Sequence, residues 1–200
     1  MFGDPLMEAK KVSFMLMMGV LGNVLFIISS YFGNLGYGLA LDLSHVATFI
    51  AGFYGGPLTG FISGVFVGVI PGIRFGPMGF GSWLALIGLP LGKGLTGLTA
   101  GLIAKKFRLG DKKYTSLLMI PLSLLAYVPE VIFTYVYFTY LMRIFLGGGG
   151  AFLFFAVMPK ALLEITVIGF LMGALVNHQG FNDFVGRFFA HPQLKTGEYS

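Results

Sequence analysis

Six apolar stretches alternate along the chain with short polar or glycine- and proline-rich interruptions. A membrane-crossing helix takes about 20 mostly apolar residues, and residues 12–32 supply the first such run. The stretch GNLGYGLA at 33–40 reads as a loop, and a shorter apolar run at 41–54 opens with Asp42, Ser44 and His45. A tight GGP turn leads into 58–70, and PGIRFGPMGFG forms a second loop before the fourth run at 82–104. The basic segment KKFRLGDKK follows, then a long run at 114–146 that Pro121 and Pro129 are expected to tilt or kink. Four glycines at 147–150 separate it from the last run at 151–176, and a polar tail covers 177–200. The pattern predicts an all-α integral membrane protein: one domain, a six-transmembrane-helix bundle.

Composition makes lipid the solvent. Of 200 residues, 56% are hydrophobic and only 10% charged, against roughly a quarter charged in an ordinary globular domain. So few charges cannot cover the apolar surface that folding leaves behind. Cysteine is absent, which excludes a disulfide framework and a thiolate metal site. The net charge of +5 does not point to nucleic acid, because the basic residues flank the apolar runs. With six crossings and an inside N-terminus, Lys10, Lys11, Lys105, Lys106, Arg108, Lys112, Lys113, Arg187 and Lys195 fall inside. Only Arg74 and Arg143 fall outside, so both termini are expected to be cytoplasmic and the plasma membrane is the expected location. The first 11 residues are too polar for a cleaved signal peptide, and the first run is expected to remain as a span.

The run GGPLTGFISGVFVGVIPGI places Gly56, Gly60, Gly64, Gly68 and Gly72 at every fourth position. In lipid a helix cannot trade its internal hydrogen bonds for water, so glycine does not readily unwind it. A bare stripe instead lets a neighbouring backbone approach closely. Each step of four overshoots the 3.6-residue turn by about 40°, so the groove winds and suits a helix crossing at an angle. Gly97 with Gly101, and Gly169 with Gly173, repeat the device. Tight packing of a compact bundle accounts for it; helices that slide while staying packed are the sharper reading.

Four charges lie well inside the runs: Lys93, Glu130, Lys160 and Glu164. Each costs roughly 2.5–3.5 kcal/mol on insertion scales. Lys160 and Glu164 share one helix face, as do Tyr127, Glu130 and Thr134. The four either neutralise one another as structural ion pairs or line a polar cavity that holds a ligand, and both hold if the ligand needs groups already paired. Asp42 reads first as a helix cap, and His45 as weak evidence of a cavity entrance. The histidines at 45, 178 and 191 are scattered, so no metal site is expected. No zinc-protease, nucleophile-elbow or phosphate-loop motif is present. The expectation is a protein that is not an enzyme, carries no cofactor and draws any ATP-derived energy from other subunits.

The stretch LDLSHVATFIAGFYGGPLTGFISGVFVGV resembles the substrate-binding subunits of energy-coupling factor (ECF) vitamin transporters, with their LD.S start to a second helix and GPL.G...G entry into a third. VMPKALLEITVIGFLMGAL is similar to the family's sixth helix, and the riboflavin- and pantothenate-type members are nearest in pattern. The resemblance implies capture of a water-soluble vitamin from outside, docking on a membrane coupling subunit that carries two ATPase subunits, and toppling to release cargo inside. It implicates Asn34, Tyr37 and Arg74 in the outer loops, and Lys93, Tyr127, Glu130, Lys160 and Glu164 in the later helices, as substrate-binding. Trp83 is a candidate for stacking on a flat ligand or for an interfacial anchor, and the tetraglycine loop a candidate lid. The family's docking signature of two alanines four apart has its nearest counterpart in Ala9 and Ser13, with lysines between. Two other functions compete with vitamin capture. One is the membrane sensing domain of a signalling protein, for which the tail is expected to leave too little room. The other is an intramembrane enzyme using Glu130 or Glu164 as a base.

Overall fold

The computed structural model describes residues 5–32, 42–79, 82–109, 115–148, 150–189 and 194. Every described element is a helix: α1 Pro5–Phe32, α2 His45–Gly55, α3 Pro57–Val67, α4 Val69–Phe75, α5 Ser82–Phe107, α6 Thr115–Val136, a π-helical turn Tyr137–Leu141, α7 Met142–Leu146, α8 Ala151–Asn177 and α9 Gln179–Gly186. Among the described residues, five stretches are long and apolar enough to cross a membrane: Glu8–Phe32, Pro57–Phe75, Trp83–Phe107, Ser116–Leu146 and Ala151–Asn177.

The second expected crossing is shorter than anticipated. At 11 residues α2 rises about 16 Å, half of a bilayer core. Every residue from His45 to Tyr54 is buried, so α2 is an internal post surrounded by protein, which is why its sequence is apolar on all sides. Gly56 turns the chain from α2 into α3 at φ +86°, a conformation that favours glycine.

The glycine stripe meets α5. A Cβ built on Gly60 would collide with the carbonyl of Gly97, and one on Gly64 with the carbonyl of Lys93. Gly68 faces Pro90, and Gly72 faces Ala85 at 3.1 Å. As the α3–α4 numbers rise the α5 numbers fall, so the two run antiparallel with backbones touching. The groove is therefore filled from within the chain, which accounts for the stripe without a sliding partner. Gly101 likewise faces Gly56 and Pro57. Gly169 and Gly173 admit α6 at Ile120 and Ser116, where the Ser116 hydroxyl donates to the Gly173 carbonyl at 2.7 Å.

The third run extends past its expected end at residue 70, to Phe75. Pro71 has no N–H for the Val67 carbonyl, and its ring crowds that carbonyl, so the helix breaks at Gly68. Asn23 of α1 repairs the break: its Nδ2 donates to the Phe66 carbonyl at 2.8 Å and its Oδ1 accepts from the Ile70 N–H at 2.9 Å. The fifth run breaks at the π-turn rather than at Pro121 or Pro129, both of which lie inside α6. The segment after the sixth run is also less polar in effect than expected. Phe188 packs tilted and Phe189 edge-on against Phe14, at 5.2 and 4.9 Å between ring centres, and the Tyr54 hydroxyl donates to Asn182 of α9.

Candidate functional site

Four helices bring their buried polar residues to one place. The Gly64 contact fixes the height of Lys93 on α5 and so aims its side chain at the start of α2. There the ammonium donates to Asp42 Oδ2 at 2.7 Å, Ser44 Oγ at 2.8 Å and His45 Nδ1 at 3.2 Å. An ammonium has three hydrogens and no acceptor, so all three are used and Nδ1 of His45 must accept. The imidazole proton then sits on Nε2 and donates to Glu130 Oε2 on α6 at 3.0 Å. Thr96, one turn beyond Lys93, donates to the same oxygen. On α8 Lys160 pairs with Glu164 Oε1 at 3.2 Å, and that oxygen also accepts from the backbone N–H of Asp42 at 2.7 Å. Lys93, His45, Glu130 and Glu164 are 1%, 6%, 5% and 5% exposed, which makes this a desolvated network in which each missing partner is costly.

The network forms one wall of a cavity of about 210 Å³. Asp42, Lys93, Glu130, Lys160 and Glu164 all line it, facing Tyr127, Phe133, Tyr137 and Phe138. The π-turn sets the last two. An i→i+5 ladder, seen in the Met142 N–H bonded to the Tyr137 carbonyl, re-aims side chains within a helix, and such turns are frequent at functional sites.

The sequence-derived candidates divide accordingly. Lys93, Tyr127, Glu130, Lys160 and Glu164 converge on the cavity. The four charges do not simply pair among themselves: Lys93 takes Asp42 and Glu130 takes His45, while only Lys160 and Glu164 take each other. Arg74 is not in an outer loop but in the last turn of α4, exposed and away from the lining. Trp83 is 48% exposed and packs edge-on against Phe145 at 5.8 Å, also outside the lining. Asn34 and Tyr37 lie outside the described residues. Ala9 and Ser13 are exposed on α1, with the Ser13 hydroxyl donating to the Ala9 carbonyl at 2.9 Å. Asp42 does not cap α2: Ser44 holds the N-cap position without a side-chain cap bond, and Asp42 spends its oxygens on Lys93 and on the Ser44 N–H and hydroxyl. His45 is a central member of the site.

Sequence reasoning missed Ser44, Thr96 and Tyr137. Thr96 had a signal in its place one turn after Lys93. Tyr137 had none, because the π-turn that points it inward leaves no mark in an aromatic-rich run. Among the described residues no cluster of three or more histidine, aspartate or glutamate side chains is arranged to hold a metal ion. No family model, curated protein or solved structure matches the chain.

Proposed function

We propose that the chain captures a water-soluble vitamin or a related small metabolite for uptake, as the substrate-binding subunit of an ECF-type transporter whose ATPases are separate subunits. One observation carries the reading: five charged side chains from α2's entry, α5, α6 and α8, of which Lys93, Glu130 and Glu164 are buried and Asp42 and Lys160 half-buried, surround a hollow instead of filling it. A purely structural ion-pair network gains most by close contact, and a hollow beside it needs another occupant. Aromatic walls with a few convergent polar groups are the usual make-up of a small-molecule site.

The topology that goes with this reading has six crossings and both termini cytoplasmic. The nine-to-two bias of lysine and arginine supports it. In it, α2 is the second crossing, tolerated at half length because protein surrounds it. The location is the plasma membrane, and the exposed Ala9–Ser13 face of α1 is where the coupling subunit docks.

The test is equilibrium binding to the purified protein across a panel of soluble vitamins, with native mass spectrometry for a co-purified metabolite. Tight, stoichiometric binding without turnover is the expected result. Chemical conversion of the bound compound would favour the intramembrane-enzyme alternative. Protein that purifies empty and shows no thermal shift with any compound refutes capture.

A further inference from the structure

Among the described residues the partner count at the site leaves one carboxylate without a counter-charge. Asp42, Glu130 and Glu164 contribute three negative charges, and Lys93 and Lys160 two positive ones. His45 carries a single ring proton, as its contacts require. The sum is +2 − 3 = −1.

The geometry says where the excess sits. Lys93 has given all three hydrogens to α2's entry, with Asp42 as its charged partner. Lys160 is committed to Glu164. Among the described residues Glu130 receives only the neutral donors His45 and Thr96, both on Oε2. Its Oε1 has no hydrogen-bond partner among the described residues. That oxygen lies over the bare backbone of Gly92, 3.4 Å from where a Cβ would stand, and both residues line the cavity.

The walls around this oxygen are aromatic. Tyr127 and Phe133 flank Glu130 by one helical turn on either side, and Tyr137 lies one turn further. Tyr137 is 92% buried, and its hydroxyl has no hydrogen-bond partner among the described residues. A ring face attracts a cation and offers nothing to an anion. An isolated carboxylate in a desolvated site is costly until a positive group meets it.

We infer that the cargo carries a positively charged nitrogen, an ammonium or a cationic ring, which sits against Glu130 Oε1 within the Tyr127–Phe133–Tyr137 wall. The inference rests on the capture reading and narrows it to one substrate class. An anionic cargo would add a fourth negative charge, with the lining's two ammonium groups, Lys93 and Lys160, already paired.

Three probes of one shape and different charge test it at pH 7: benzylamine, benzyl alcohol and benzoate. Binding to the detergent-purified protein is followed by thermal shift and calorimetry, alongside native mass spectrometry of the material as purified. Benzylamine is expected to bind at least 10-fold more tightly than the alcohol, with benzoate weakest. Glu130→Gln is expected to bring amine and alcohol within about twofold of each other, while Glu164→Gln keeps the preference. Should Glu130→Gln fail to fold, the order of the three probes on the unaltered protein decides the matter, with Glu130→Asp as the second variant. A co-purified metabolite bearing a cationic nitrogen also supports the assignment. Equal or tighter binding of alcohol or benzoate, or a neutral or anionic co-purified metabolite, overturns the cation assignment and leaves capture standing. Empty protein that responds to none of the probes or vitamins overturns both.

Discussion

Replacing Lys93 with methionine removes the hub of the polar network while keeping a side chain of similar length and volume. Lys93 makes one charged and two neutral hydrogen bonds, at 2.7, 2.8 and 3.2 Å, and is 1% exposed. Hydrogen bonds to a charged group contribute about 1.5–3 kcal/mol each, but the ammonium also gives back several kcal/mol of desolvation when it is removed. What decides the net is the residue left behind. Asp42 keeps the Ser44 N–H and hydroxyl and loses its only cationic partner among the described residues. Breaking one side of a buried pair costs about 3–5 kcal/mol, and Lys93→Met is expected in that range. Asp42→Asn alone should cost a comparable amount, because it strands the ammonium. The double variant Asp42→Asn/Lys93→Met removes both charges and should recover at least about 2 kcal/mol relative to the sum of the singles. The assay is reversible unfolding in mixed micelles, run as a double-mutant cycle. A coupling below about 0.5 kcal/mol, or a Lys93→Met cost below about 1 kcal/mol, would refute the reasoning that the ammonium holds this corner together.

Three further outcomes follow from the contacts. Gly97→Leu drives a side chain into the Gly60 carbonyl and should abolish the folded protein on size-exclusion chromatography, whereas Gly186→Ala, with nothing within 4 Å, should leave the melting temperature unchanged or slightly raised. Trp83→Ala should leave ligand affinity within twofold by calorimetry, since the indole touches Phe145 and not the cavity. Phe189→Ala should cost about 3–5 kcal/mol in the same unfolding assay, the usual loss for a buried aromatic, because the ring packs on Phe14 and against Gly55.

The long helices were legible because the solvent imposes them: 20-residue apolar runs leave a chain in lipid few choices. The close approach at the glycine stripe was legible for the same reason. Its partner was not, since spacing reveals a groove but not which helix fills it. Lys93, Glu130, Lys160 and Glu164 stood out because charge in an apolar run is costly, and their convergence on a hollow follows from that cost. Asp42 and His45 were underweighted because each sits where a local role, a helix cap or an isolated side chain, is ordinary. Only tertiary packing, which seats α2 wholly inside the protein, reveals that they complete the site. The π-turn was invisible because one extra residue per turn changes no composition, and the two prolines nearby offered a more conspicuous place to expect a kink.

That turn also has a bearing on how the chain tolerates change in length. Five residues, Tyr137–Leu141, occupy a loop that an α-helix would close with one fewer. A one-residue deletion there would let the ordinary ladder run through, so the turn would close with one residue fewer and the later side chains of that helix would keep about the faces they now have. Met142, now facing the cavity and touching Gly150, would stay there, while Tyr137 and Phe138 would lose the placement that the wide turn gives them. Substitutions within the segment can be absorbed one at a time; loss of a single position would re-aim the turn's own share of the chamber wall in one step and leave the helix beyond it in place.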